Sequence, residues 1–311
     1  MKTCKSSSIM QNSQSKVMVE KTAWVIFVFC AVIAVAAVFS ITLYMFLKGV
    51  PAFAEVGVAE ILFGREWAPA AENPRYGILY IILTSIVGTA AAIVIGVPIG
   101  VLTAVFLSEV APKKLAKAVG PVVDLLAGIP SVIYGLLGLM ILNPAMYKLE
   151  QMIFADSPTH QFTGGANLIS AVLVLVIMIL PTVINISQSA LQAVPESLKA
   201  ASFGLGASQI QTIFKVQIPA ARSGIVTAVV LGIGRAIGEA MAISLVSGSA
   251  VNPPLPFNSV RFLTTAIVSE MGYAADTHRM VLFSIGLVLF VFIMVINTVL
   301  TKILKGAKDH G

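Results

Sequence analysis

Arg235 and Glu239 stand four residues apart in a stretch, 225–246, that otherwise carries no acid or base. On a continuous helix that spacing puts both side chains on one face, where they can pair. An ionisable group at bilayer depth is costly and marks a functional position by default. Two chemistries fit the pair. It could fix helix packing as a structural ion pair, or it could line a path for an anion. On the second reading the guanidinium offers two parallel donors to an oxyanion, and the carboxylate keeps the site from holding it too tightly. Gly234 and Gly238 share that spacing and would let another helix approach closely.

Other chemistries are missing from the chain. No Gly-x-x-x-x-Gly-Lys-Ser/Thr loop occurs, so ATP hydrolysis is expected from a separate subunit. Gly232-Ile233-Gly234 followed by Gly238 is one residue too long for a dinucleotide fingerprint. His160, His278 and His310 are far apart and lack cysteine partners, while Cys4 and Cys30 are two lone thiols. No metal site, disulfide framework or bound cofactor is expected from them. There is no nucleophile–base pair either. The chain reads as a pathway rather than an enzyme.

The elements that must position these residues follow from composition. Of 311 residues, 58% are hydrophobic and 11% charged, against roughly a quarter charged in a soluble domain. A span needs about 20 apolar residues. Such blocks lie at 23–47, 76–108, 119–142, 168–186, 225–246 and 280–301. The fold class is therefore an all-α membrane protein with six spans. Residues 1–22 form an N-terminal tail and 23–47 a first, uncleaved helix. A loop at 48–75, a core at 76–304 with five spans, and a tail at 305–311 follow. Gly96, Pro98 and Gly100 are expected to break or kink the second span near its end. Asp124 is expected to snorkel or cap near one end of the third, which also holds Pro130.

Lys and Arg in the connections give the orientation. With the N-terminus inside, the cytoplasmic side holds thirteen, among them Lys2, Lys113, Lys114, Lys117 and Lys199. The opposite side holds six, and both termini are expected in the cytoplasm. The net charge of +6 is scattered without a basic run, so no nucleic-acid partner is expected.

The inward loop at 187–222 reads as two short helices. Pro195 suits a first helical position and Glu196 the positive end of the helix dipole. Leu198, Ala201 and Leu205 recur at helical spacing, and Gly204 and Gly206 are stop signals. Ser208 and Gln211 form a capping box for the second helix, and Pro219 is expected to end it. The pair could lie flat on the membrane surface, or it could dock a cytoplasmic partner.

The stretch from Ala200 and Ala201 through Gly204, Gly206 and Ala207 to Ile218-Pro219 resembles the coupling motif of ABC-transporter permeases. It departs from that motif at Ala200, where Glu is usual, and at Ile218 in place of Leu. Further segments narrow the resemblance. Leu62-Phe63-Gly64, Glu66-Trp67, Arg75-Tyr76-Gly77, the run from Gly128 to Gly135, the run from Gly234 to Glu239, Arg261 and Glu270-Met271-Gly272-Tyr273 look like the phosphate permease family of PstC type.

The resemblance implies an ABC importer type I permease fold in the bacterial cell inner membrane. It implies phosphate as substrate, with Arg235 and Glu239 on the pathway. It implies coupling to an ATPase dimer (PstB-like) through Glu196, Ala200, Ala201, Gly204, Gly206, Ala207 and Pro219. A sister permease (PstA-like) and a periplasmic phosphate-binding protein (PstS-like) complete the expected partners. The alternatives are a permease for another oxyanion, an ion-gradient-driven secondary transporter, or a sensory membrane scaffold.

Overall fold

The structure, a computed structural model, describes residues 4–157 and 160–308. Lys2 and His310, and the last residues of the 305–311 tail, lie outside the described residues. In a bilayer the backbone must satisfy its own polar groups, so the apolar blocks become helices. Helix α1 (Cys4–Ala52) passes through a π-helical turn (Phe53–Gly57) into α2 (Val58–Phe63). Strands β1 (Trp67–Ala68) and β2 (Arg75–Tyr76) form a small antiparallel hairpin with Trp67 opposite Tyr76. Then come α3 (Leu79–Val105) with a π turn (Phe106–Val110), α4 (Lys113–Gly128) and α5 (Ser131–Leu137). A π turn (Gly138–Leu142) leads into α6 (Asn143–Ile153), followed by α7 (Leu168–Gln192). The 187–222 stretch holds α8 (Glu196–Gly204), α9 (Gln209–Thr212), a π turn (Ile213–Gln217) and α10 (Ile218–Ala220). The chain closes with α11 (Arg222–Gly238), α12 (Met241–Val246), α13 (Leu263–Glu270) and α14 (Asp276–Lys308).

Among the described residues, 5 helical runs are long and apolar enough to cross a membrane, or 6 if a bent pair is one span. That pair is Gln209–Ala220 with Arg222–Gly238, bent by 69°. The protein is thus helical and multi-pass. Its elements differ from the sequence expectation in several places. The helix expected at 23–47 begins at Cys4 and runs unbroken to Ala52, taking in most of the expected tail. Pro98 does not break α3. Gly96 and Gly100 instead face α7, and a Cβ on either would come 2.7 or 2.8 Å from Ile179 or Val183. The block at 119–142 is two helices, not one. Pro130 disfavours helix in the residue before it, so Ile129 is extended, and the span-length run is Ser131–Ile153. Asp124 therefore sits on α4, where it accepts a hydrogen bond from Asn185 Nδ2 on α7 at 2.8 Å. Pro219 does not end the second loop helix; it lies within α10, and the chain turns just after it.

The core is built on α7, whose Leu175, Met178 and Ile179 pack with Ala236 of α11 and with Ile243 and Val246 of α12. At the hairpin end, Ile61, Ile78 and Ile81 meet Leu263, Leu282 and Ile285. At the loop end, Val105 and Leu107 meet Leu191, Ile213 and Ala221. Helix α1 stays at the edge and leans on α14, with Tyr44 edge-on to Phe283 at 5.5 Å. Its Trp24, Phe27, Phe29 and Phe39 are exposed.

The closest backbone approach near α12 is at Gly135 on α5. A Cβ there would lie 2.7 Å from Ala242 Cα and 2.9 Å from its carbonyl oxygen. Backbone on the far side cannot rotate away as a side chain can. Gly135→Val should therefore cost about 1–3 kcal/mol, the usual range for overpacking. A thermal melt of the detergent-solubilised protein checks this, with Gly120→Val, which meets open space, as the neutral control.

Candidate functional site

The stretch expected as one span at 225–246 is interrupted in its second half. Helix α11 ends at Gly238, Glu239 is extended (φ −73°, ψ 129°), and α12 starts at Met241. The interruption is held by polar contacts. The Glu239 carboxylate accepts from Ala242 N at 2.8 Å and so caps the first turn of α12. Its carbonyl accepts from Thr264 Oγ1 at 2.7 Å. Because the helix stops between them, Arg235 and Glu239 lose the i,i+4 geometry that would have paired them. Among the described residues Arg235 forms no ion pair. Its Nη1 donates to Thr182 Oγ1 on α7 at 3.3 Å, and the side chain is half-buried. At 1.5 Å per residue it lies about 20 Å along α11 from Arg222. Leu231, Gly234 and Gly238 are exposed on α11 and Met241 at the start of α12, and a Cβ on either glycine would meet open space.

The loop residues form a second cluster. Glu196 opens α8 and is exposed, as are Ala200, Ala201, Gly204 and Pro219. Leu205 N donates to Ala201 O at 3.1 Å, and Gly206 follows at φ 83°, a left-handed conformation that glycine adopts without penalty. Ala207 N then donates to Ser202 O at 3.2 Å. The capping box forms, with Ser208 Oγ accepting from Gln211 N and Gln211 Oε1 accepting from Ser208 N. Leu205 is left 90% exposed at the tip, with Phe203, Ile210 and Phe214 exposed near it.

Sequence reasoning assigned no role to two acids that organise the ends of the molecule. At the loop end, Glu109 takes both carboxylate contacts from Lys199 Nζ at 3.2 Å. Burial alone would lower the Lys199 pKa, but hydrogen bonds to and the charge of Glu109, with those of Glu196, hold it above the ordinary lysine value. At the hairpin end, Glu270 is buried and accepts from Trp67 Nε1 at 3.1 Å and from Arg261 Nη1. His278 Nε2 lies 2.7 Å from its other oxygen. The β1 strand, through Trp67, thus meets residues 261–278 on one carboxylate. The uncharged block that stops just before Glu109, and the recurrence of Trp67, Arg261 and Glu270 in the family-like segments, were the signals available.

These features have counterparts in known proteins. The description "Binding-protein-dependent transport system inner membrane component" matches residues 96–307. The chain belongs to this family. It is similar to "Probable ABC transporter permease protein YqgH" of Bacillus subtilis (strain 168), at 38% identity over 94% of each chain. It is also similar to "Phosphate transport system permease protein PstC" of Pasteurella multocida (strain Pm70), at 34% identity over 76% of this chain and 77% of the relative. Among solved structures, a bacterial alginate ABC transporter bound to its alginate-loaded periplasmic protein gives a TM-score of 0.57. There the identity is 16%, over 89% of this chain and 92% of that one, so the likeness is one of fold. The permease is a component of a binding-protein-dependent transport system.

In this permease Glu270→Ala would leave Arg261, 15% exposed, without its carboxylate. Removing one partner of a buried pair costs about 3–5 kcal/mol. The expected outcome is a lower melting temperature in detergent, and faster amide exchange in both the β1–β2 hairpin and α13. An unchanged melt would mean that the carboxylate does not join these segments.

Proposed function

We propose that this permease forms the membrane path of an ATP-driven phosphate importer. The observation that carries the proposal is Arg235, a half-buried cation in an interrupted span with no carboxylate within ion-pair distance among the described residues. A phosphate entering a bilayer loses its hydration and needs a fixed positive group to offset that loss. Similarity to a chain named as a phosphate transport permease supports the substrate. The interruption supports a pathway role, because non-helical backbone at membrane depth is tolerated where it is buried in protein or lines a cavity.

On this reading a sister permease of PstA type supplies the other half of the path. A separate ATPase dimer of PstB type hydrolyses ATP, and a periplasmic phosphate-binding protein of PstS type delivers the ion. The protein sits in the bacterial inner membrane with both termini cytoplasmic. The ATPase docks on α8–α10 through Leu205 and the residues from Glu196 to Pro219, and its closure pulls the loop. Gly206 keeps the tip in the shape that docking uses.

The substrate assignment predicts that Arg235→Gln leaves assembly intact and lowers uptake of radiolabelled phosphate roughly tenfold or more. Arg235→Lys should keep part of the activity, as a point charge without the planar fork. Since Glu239 serves α12 rather than Arg235, adding Glu239→Gln should not restore uptake. Full uptake by Arg235→Gln would remove arginine from the path.

The orientation predicts a labelling pattern in a background lacking Cys4 and Cys30. Leu205→Cys, at a 90% exposed site, should stay unlabelled by an impermeant thiol reagent on intact cells. Tyr273→Cys, at a 71% exposed site, should label. The reverse pattern would invert the topology.

A further inference from the structure

A loop that receives force must hand it to the membrane helices, and covalent continuity accounts for two of them here. The 187–222 loop continues from α7 and into α11. Helix α3 is distant in sequence, yet its end contacts α8, α9 and the π turn that follows them. The carboxylate of Glu109, in the π turn that extends α3, is the meeting point. Lys199 Nζ of α8 reaches both of its oxygens at 3.2 Å, and Gln217 Nε2 of the following π turn reaches one at 2.9 Å. Gln209 Nε2 of α9 donates to the Glu109 carbonyl at 2.8 Å. Ser108 Oγ adds a bond at 3.0 Å.

The environment makes these contacts matter. The Glu109 side chain is 11% exposed and that of Lys199 15%, so neither charge has much water to fall back on. Glu196, the other acid on Lys199, is 87% exposed and contributes less than Glu109. Gln217 is buried, and its amide nitrogen is spent on Glu109. The loop is internally stiff, since Ser202 Oγ and Thr212 Oγ1 lie 2.9 Å apart and join α8 to α9. Beneath the polar knot, Leu107 of the same π turn packs in one apolar cluster with Leu191, Val194 and Ile213.

Resting on the docking role proposed above, we infer that Glu109 is the positioning residue that clamps the coupling loop to α3, so that loop displacement drives α3 and the α7 packed against it. Without this clamp the loop still docks, but its movement reaches α3 only through the apolar packing around Leu107 and the Gln209 bond to the Glu109 carbonyl. ATP is then hydrolysed without proportionate transport.

The test uses the complete transporter in proteoliposomes, with phosphate accumulated per ATP hydrolysed as the main readout. Glu109→Ala should keep the ATPase co-purifying and hydrolysing within about twofold of wild type. Its phosphate-to-ATP ratio should fall at least about fivefold, the lower end of typical coupling between sites. Lys199→Ala should lower the ratio less. The double variant should be no worse than Glu109→Ala, because the two residues act through one contact.

An unchanged ratio, additive losses in the double variant, or loss of the ATPase from Glu109→Ala would each overturn the clamp. A second arm needs neither phosphate nor ATP. Amide exchange across residues 196–217 of the isolated permease should accelerate in Glu109→Ala, and no change would also refute the inference. Failure of the wild-type liposomes to accumulate phosphate would count against the proposed substrate and leave the exchange arm standing.

Discussion

Where the backbone leaves the helix at Glu239, its polar groups have no bulk water to turn to. An unpaired amide or carbonyl in a low-dielectric setting costs several kcal/mol, so an interruption there survives only if the protein supplies partners. It supplies two. The Glu239 carboxylate takes the Ala242 N–H, and Thr264 gives its hydroxyl to the Glu239 carbonyl. Much of the surrounding packing follows from keeping those partners in reach. Helix α13 must bring Thr264 against the break, and α5 must approach the α12 backbone at Gly135. Arg235, one turn before the break, is left facing Thr182 rather than an acid. The break thus separates two charges that a straight helix would have joined.

The apolar blocks were legible because bilayer thickness acts on composition, which a sequence displays directly. The helical class followed from that, and the six spans expected stand against 5, or 6 if the bent pair is one span. The capping box at Ser208 and Gln211 was legible too, since its partners are three residues apart. What escaped notice depends on contacts across the chain. The third span was read too early because residues 143–153 carry Lys148 and Glu150, which look like the end of an apolar block. In the folded chain Glu150 is fully buried and partnered locally, with His160 Nε2 at 2.8 Å and Thr163 N at 3.0 Å. The Arg235 and Glu239 spacing was read as a pair on the assumption of a continuous helix. Nothing local to those residues announces that Thr264 will stabilise a break.

The coupling loop shows the same division. Its two helices and the stop at Gly204 and Gly206 are written in local signals, whereas its attachment is not. The acid usual at the motif's start is replaced by Ala200, and the carboxylate that meets Lys199 from within the bundle is Glu109, 90 positions earlier. The loop is thus stiffened by its own hydroxyl contact and tied down by another element. The hairpin end follows a parallel plan, with Glu270 gathering Trp67, Arg261 and His278. Each end of the molecule is organised around one largely buried acid that takes at least one donor from a remote segment, Lys199 for Glu109 and Trp67 for Glu270.

Helix α1 stands apart from this economy of shared contacts. It lies outside the family-matched stretch and meets α14 through residues such as Tyr44 and Gly49, while most of its apolar side chains look outward. The uncharged stretch at 23–47 would be about 37 Å long at 1.5 Å per residue, against a hydrocarbon core of about 30 Å. A helix longer than the layer it crosses tilts or thickens that layer around itself. Helix α14 braces α1 along one side, and the rest of its surface is open to the lipid. Acyl-chain length thereby becomes a variable in this molecule's shape, and a change of membrane thickness is felt at α1 before it reaches the bundle.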